Sequence, residues 1–280
     1  MKPAPFAFVR PSSLGEALEA LAADANAKVL AGGQSLIPLL SMRLASPSTL
    51  VDINGLGLDD IVVTGDGVRI GALVRHAQLE RSAEASRVQP LLSRALRLVA
   101  HPTIRNRGTT VGSIVHADAA AEMPAVLALL GGSVTAASPR GSRTIPVDAL
   151  FAGPMESTLA HDEIATEAFF PVVPEGTGVA IDEVSRRHGD YALCGVAAAV
   201  TVADGAITSA RASYFSVCEV PTVVDLTGVP SDEAGEHALA SLDPQGDIHA
   251  TAEYRRQLVR VLTRRVLQAA CDEALAGVGT

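Results

Sequence analysis

The 280-residue chain is 48% hydrophobic and 19% charged, the composition of ordinary globular material with room for one to three domains. Its formal net charge is −9 and Lys2 and Lys28 are its only lysines, which excludes the basic stripe that nucleic-acid binding requires. Aromatic residues make up 3% and Trp is absent, so any planar ligand meets few rings.

In chain order, Ser13-Leu14-Gly15-Glu16 has the form of a capping box, in which a Ser hydroxyl and a Glu carboxylate satisfy orphan N–H groups. Leu14, Ala17, Leu18 and Leu21 then follow at helical spacing. Residues 29–31 predict a strand that runs straight into Gly32-Gly33-Gln34-Ser35. A helix over 36–44 and a strand over 50–53 follow. Residues 61–63 and 68–70, around Gly65-Asp66-Gly67, predict a hairpin. Leu91, Leu92, Ala95, Leu96 and Val99 mark a helix that stops before Pro102. Residues 103–113 read as a polar loop, leading to a helix that opens near Pro124 and closes at Gly131-Gly132. Strands are expected over 133–137 and 164–170.

The Pro- and Gly-rich run 171–176 reads as a linker. Beyond it, 196–202 and 207–213 flank Ala203-Asp204-Gly205 as a second hairpin, and a long helix begins near Thr251. The order of elements is that of an α+β fold. Arg255, Arg256, Arg260, Arg264 and Arg265 read as the solvated face of the last helix, or as a contact for an acidic partner. Cys194, Cys218 and Cys271 form no CxxC pair and read as small apolar residues, neither disulfides nor metal ligands. The N-terminus lacks the apolar segment of a signal peptide, and the apolar runs 123–130 and 196–202 fall short of the roughly 18 residues of a membrane span. A cytoplasmic location is expected.

Two segments carry candidate chemistry. Ala31-Gly32-Gly33-Gln34-Ser35 lies between a strand and a helix, where glycines expose consecutive backbone N–H groups able to hold a phosphate without a cation. It matches neither the P-loop nor the Rossmann fingerprint, and a tight turn with a capping glycine is the alternative. The second segment, Arg105-Asn106-Arg107-Gly108-Thr109-Thr110-Val111-Gly112-Ser113, is followed by His116-Ala117-Asp118. It reads as a second anion cradle or as a polar surface loop. Asp118 suits the hydroxyls of a ribose or ribityl chain. His101, His116 and His188 lack a second ligand at metal spacing, no Ser/His/Asp arrangement is present, and no residue is assigned a catalytic or metal-binding role.

Taken together, the motifs resemble the flavin-binding subunit of the molybdenum hydroxylases, the family of xanthine dehydrogenase and aerobic carbon monoxide dehydrogenase. The resemblance runs the length of the chain. It begins with Phe6-Ala7-Phe8-Val9-Arg10-Pro11 and continues through Ala31 to Pro38, Met42-Arg43-Leu44 and Val51-Asp52-Ile53-Asn54. Ile104 to Thr109, His116-Ala117-Asp118, Glu122-Met123-Pro124-Ala125 and Arg187-His188-Gly189-Asp190-Tyr191-Ala192 complete it.

The resemblance implies a vanillyl-alcohol-oxidase-type (PCMH-type) FAD-binding domain over 1–175, with subdomains of about 1–57 and 58–175, and a C-terminal α+β domain over 176–280. It implies FAD contacts at Ala31, Gly32, Gly33, Gln34, Ser35 and Leu36, and at Thr109, Thr110, Gly112, Ser113, Asp118 and Tyr191. Tyr191 is then a candidate for packing on the flavin, or else a strand-end tyrosine with a wet hydroxyl. Molybdopterin and two [2Fe–2S] clusters are expected on partner chains, a large and a small subunit, with electrons passing through FAD to an acceptor. Gln34 stands where the carbon monoxide members have His, which argues against that substrate and against a histidyl–flavin bond, so FAD is expected to be non-covalent. Val111 stands where the family has Gly. A β-branched residue resists positive φ, so an extended backbone is expected there, with Gly112 and Ser113 N–H groups as phosphate donors. The alternatives are a free-standing flavoprotein acting on a small substrate and a scaffold subunit that has lost its flavin.

Overall fold

The computed structural model describes residues 2–278. Strand β1 (Ala7–Val9), helix α1 (Leu14–Ala23), β2 (Ala27–Leu30), α2 (Leu36–Met42) and β3 (Thr49–Asp52) form the first unit. Its sheet has the order β1-β3-β2 with parallel pairing, as helix crossovers between strands require. Ala17, Leu18 and Leu21 of α1 bury their stripe against Val51 and Ile53. Ser13 caps α1 by accepting the Glu16 N–H at 3.2 Å. The expected capping box is only half formed. The Glu16 carboxylate takes the N–H and hydroxyl of Ser12, which presents both donors to it, rather than the N–H of Ser13.

The second unit opens with β4 (Ile61–Thr64) and β5 (Gly67–Gly71), then helices α3 (His76–Glu80), α4 (Ala83–Val88) and α5 (Pro90–Leu98). The polar segment read as a loop over 103–113 instead contains two short helices, α6 (Pro102–Arg105) and α7 (Thr110–His116). Its polar residues serve as helix caps: Pro102 opens α6 and the Thr109 hydroxyl caps α7. Helix α8 (Glu122–Leu130) ends at Gly131 in the left-handed conformation. Strands β6 (Ser133–Ser138), β7 (Gly141–Pro146), β8 (Phe151–Gly153), β9 (Glu156–Ser157) and β10 (Ile164–Pro171) follow. A five-stranded sheet in the order β4-β5-β10-β6-β7 packs beneath these helices through Leu91, Leu92, Val126, Leu127 and Phe170.

The third unit is an antiparallel sheet of β11 (Thr177–Ser185), β12 (Ala192–Ala203), β13 (Ala206–Phe215) and β14 (Thr222–Asp225), in that order. Helices α9 (Ala234–Leu239) and α10 (Ala252–Val278) cover it with a separate core of Val196, Val200, Tyr214, Val259, Leu262 and Val266. The glycine at 178 lets α10 approach β11 closely, since a Cβ there would strike the Ala270 carbonyl and lie 2.6 Å from the Ala274 nitrogen.

One residue of the arginine series departs from the solvated face. Arg255 is buried, donating to Asp247 Oδ2 at 2.7 Å and to the Gln245 carbonyl at 3.2 Å, because the segment before α10 folds back over it. Arg260 and Arg265 pair with Glu236 and Asp182. The three cysteines are free thiols, Cys194 buried and the others partly so. Among the described residues no helix is long and apolar enough to cross a membrane.

Candidate functional site

The first loop leaves β2 at Ala31 and enters α2. Gly33 has φ +73°, a left-handed turn open to glycine at low cost. Gly32 is buried because the second loop lies directly on it. A Cβ there would strike the Arg107 carbonyl and come within 2.8 Å of Gly108 Cα. Gln34 folds inward and its Nε2 donates to the Gly32 carbonyl at 3.1 Å. Ser35 takes the N-cap position of α2 without a side-chain cap bond. The backbone N–H groups of Gly33, Gln34, Ser35 and Leu36 find no hydrogen-bond partner among the described residues. Four consecutive uncommitted amides at a glycine-rich turn are the donor set that an anionic group requires.

The second loop is fixed by α3. Arg75 pairs with Thr109 as an isolated antiparallel bridge, and the His76 N–H donates to the Gly108 carbonyl at 2.9 Å. The Thr110 hydroxyl, fully buried, meets His76 Nδ1 at 3.2 Å. Burial, aided by the charge of Arg105, pushes the His76 pKa down to about 4, so the ring is neutral at ordinary pH.

Here the expectation for Val111 is corrected. Its backbone is helical, not extended, and its side chain is 1% exposed in the core of the second unit. The helix also consumes the two expected donors: Gly112 N–H goes to the Thr109 hydroxyl at 3.2 Å and Ser113 N–H to the Thr109 carbonyl at 3.0 Å. Thr110 N–H goes to the Val74 carbonyl at 3.2 Å. The N–H of Val111 is the first-turn amide of α7 left without a partner among the described residues.

Asp118 and Tyr191 form no hydrogen bond with either loop among the described residues. Asp118 follows the left-handed Ala117 that ends α7, and its Oδ1 accepts from Ala120 N–H at 2.9 Å. Tyr191 is 70% exposed. Partial desolvation, then the charges of Asp118 and Glu122, raise its phenol pKa. Glu122 and Glu183, which sequence reasoning passed over as catalytic or binding groups, meet at this junction of the second and third units. Ile181, two residues before Glu183 on β11, packs against the small cluster of Ala125 on α8, Ala192 and Phe215. Desolvation raises the pKa of Glu122 to about 7 and that of Glu183 to about 8, with Glu122 adding to the latter. His101 lies against Gly189, and among the described residues no cluster of His, Cys, Asp and Glu is arranged to hold a metal ion.

The two abutting, amide-lined loops lie within the first of two stretches that match known families. Residues 4–173 match the family model for the FAD binding domain in molybdopterin dehydrogenase, and residues 179–270 match the CO dehydrogenase flavoprotein C-terminal domain. The chain belongs to this flavoprotein family. It is 41% identical to the 6-hydroxypseudooxynicotine dehydrogenase complex subunit alpha of Paenarthrobacter nicotinovorans, covering 98% of this chain and 97% of that one. It is also 41% identical to the nicotine 6-hydroxylase medium subunit of the same organism, over 93% and 95% of the two chains. Among solved structures, carbon monoxide dehydrogenase from Hydrogenophaga pseudoflava superposes with a TM-score of 0.93 at 31% identity, over 98% of this chain and 99% of that one. The fold is therefore the PCMH-type FAD-binding fold with its C-terminal domain, and the chain is an FAD-binding subunit of the molybdenum hydroxylase type, an oxidoreductase component.

Proposed function

We propose that this flavoprotein is the electron-transfer subunit of a cytoplasmic, heteromeric molybdenum hydroxylase. In this reading a small partner carries [2Fe–2S] clusters, a large partner carries molybdopterin, and FAD passes the electrons to an external acceptor. The observation that carries the reading is the run of four amides at 33–36 that find no partner among the described residues, lying against the segment that leads to the Val111 N–H, which likewise has none among them. These donors fit a diphosphate. When bound, FAD supplies a centre that exchanges electrons singly or in pairs. The chain's own task is to hold and orient it.

Ala31 to Leu36 approach the diphosphate through backbone, with Ser35 offering its uncapped hydroxyl. Thr109 and Thr110 act from behind, Thr109 by capping α7 and Thr110 through His76. Gly112 and Ser113 shape the first turn of α7, Asp118 faces the sugar hydroxyls, and Tyr191 covers the ring. Gln34 carries no nucleophile, so attachment at this loop is non-covalent. Family matches ending at 173 and resuming at 179, and the third unit's own core beneath α9 and α10, support a domain boundary near 175, with Val179 and Ala197 packing into the core of the second unit. Three unpaired cysteines suit a reducing compartment. Co-purification tests the assignment: the chain should carry flavin with no iron or molybdenum, and bring down a cluster-bearing partner. Stoichiometric iron in the isolated chain, or turnover of a substrate by it alone, would refute the electron-transfer role.

A further inference from the structure

The two loops belong to different units with different cores, so something must hold their separation. Asn54, in the connection after β3, donates through Nδ2 to the Ala31 carbonyl at 2.9 Å and to Asp52 Oδ1 at 2.6 Å. Asp52 is buried and also accepts the Asn54 N–H at 3.1 Å, which fixes the amide's orientation. From the other side, Arg75 donates through one guanidinium nitrogen to Asn54 Oδ1 at 2.6 Å and through another to the Arg107 carbonyl at 2.6 Å. That carbonyl is the one against which Gly32 packs. The Arg75 backbone is itself anchored by its bridge to Thr109. One side-chain pair thus grips the entrance of the first loop at Ala31 and that of the second at Arg107.

We infer that Asn54 and Arg75 are positioning residues, a brace that sets the gap between the loops and thereby the affinity for a diphosphate. The inference rests on the FAD reading above. Amides from two elements bind one anion well only when their separation is held within about 0.5 Å, and side-chain hydrogen bonds to a charged group hold such a gap better than packing alone. A guanidinium suits the task because its planar fork reaches two acceptors at once, which a lysine ammonium on this stem does not.

The test uses the full chain, stripped of flavin and titrated with FAD, with ADP (which keeps the diphosphate) and with riboflavin (which lacks it). Arg75→Ala should raise the Kd for FAD and ADP by about tenfold or more and leave riboflavin binding unchanged. Asn54→Ala should do the same, and the double variant should be no worse than the more severe single one, because each breaks the same brace. Arg75→Lys, which keeps the charge and the stem and serves where Arg75→Ala fails to fold, should bind FAD as weakly as the alanine variant. Arg94→Ala, which removes the ion pair between α5 and α10 and none of the brace's bonds, is the control and should leave all three affinities unchanged. Full affinity in Arg75→Lys would make the role one of charge, and additive losses or equal weakening of riboflavin would make it one of general stability; each overturns the brace. Normal FAD and ADP binding in Arg75→Ala overturns the brace alone, whereas a wild-type chain that binds neither ligand overturns the FAD reading and the brace with it.

Discussion

Single atoms decide the geometry of the seam. Adding one methyl at Gly32 would drive a carbon into the Arg107 carbonyl and part the loops. Gly32→Ala should therefore lose FAD with little change in thermal stability, measured as flavin content against melting temperature. Gly33→Val should lose FAD as well, since a left-handed backbone costs an L-residue about 1–2 kcal/mol and a β-branched one more. Stoichiometric flavin in a folded Gly33→Val chain would refute the role of this loop. Val111 and Gly112 divide differently. Val111→Gly removes a fully buried side chain from a helix and should cost about 2–4 kcal/mol in denaturant unfolding, while its amide stays available for FAD. Gly112→Val places a carbon on the Thr109 hydroxyl and should break the α7 cap, at about 1 kcal/mol, with a large loss of FAD affinity.

Elements carry the next level of control, and they show what the sequence discloses. Strand and helix periodicities, the glycine-rich turn at 32–33 and the break between β10 and β11 are legible because each is written in consecutive residues. The two short helices at 102–116 were not, because polar residues that cap a helix look the same as polar residues in a loop. Arg75 and His76 gave no local signal at all. Their roles come from pairing with residues about thirty positions away, in Arg107 to Thr110, a contact that only the tertiary structure creates. Val111 misled for the same reason: its family counterpart suggested a backbone problem, whereas its burial places it in the hydrophobic core. The close approach of α10 to β11 is a further case. Gly178 has no cap or turn role, yet Gly178→Ala would push the helix off the sheet and should cost about 1–3 kcal/mol. The bidentate Arg94–Glu273 pair, which also grips both the N–H and the carbonyl of Val179, ties the same helix back to α5. Gly178→Ala should therefore loosen α10 and expose it to limited proteolysis; an unchanged cleavage pattern and melting point would show that the helix gives way without strain.

On the scale of the whole molecule, buried His76 and the half-buried Glu122 and Glu183 contribute to how stability follows pH, and they act in opposite directions. His76 has its pKa depressed from 6.5 to about 4, by burial and then by Arg105. Its folded form resists protonation, so the stability it contributes is present above about pH 6.5 and is lost as pH falls through 4. Glu122 and Glu183 behave inversely. Their pKa values are raised from 4.5 to about 7 and about 8, by desolvation first, then by Asp118 for Glu122 and by Glu122 and Asp182 for Glu183. Between pH 4.5 and 8 these two carboxyls hold more protons in the folded chain than in the unfolded one, so their contribution to stability falls as pH rises through that window and levels off above it. Glu183 has the clearer case for replacement, because its Oε2 is buried without a partner and its ionised form faces Glu122 across the junction of the second and third units. Glu183→Gln keeps the shape and removes the charge. Its melting temperature should match that of the wild type near pH 5 and exceed it near pH 8.5, flattening the alkaline limb while the acid limb, to which His76 contributes, stays where it was. Parallel melting curves for the two proteins across this range would show that the carboxyl at 183 is not held protonated at the domain junction.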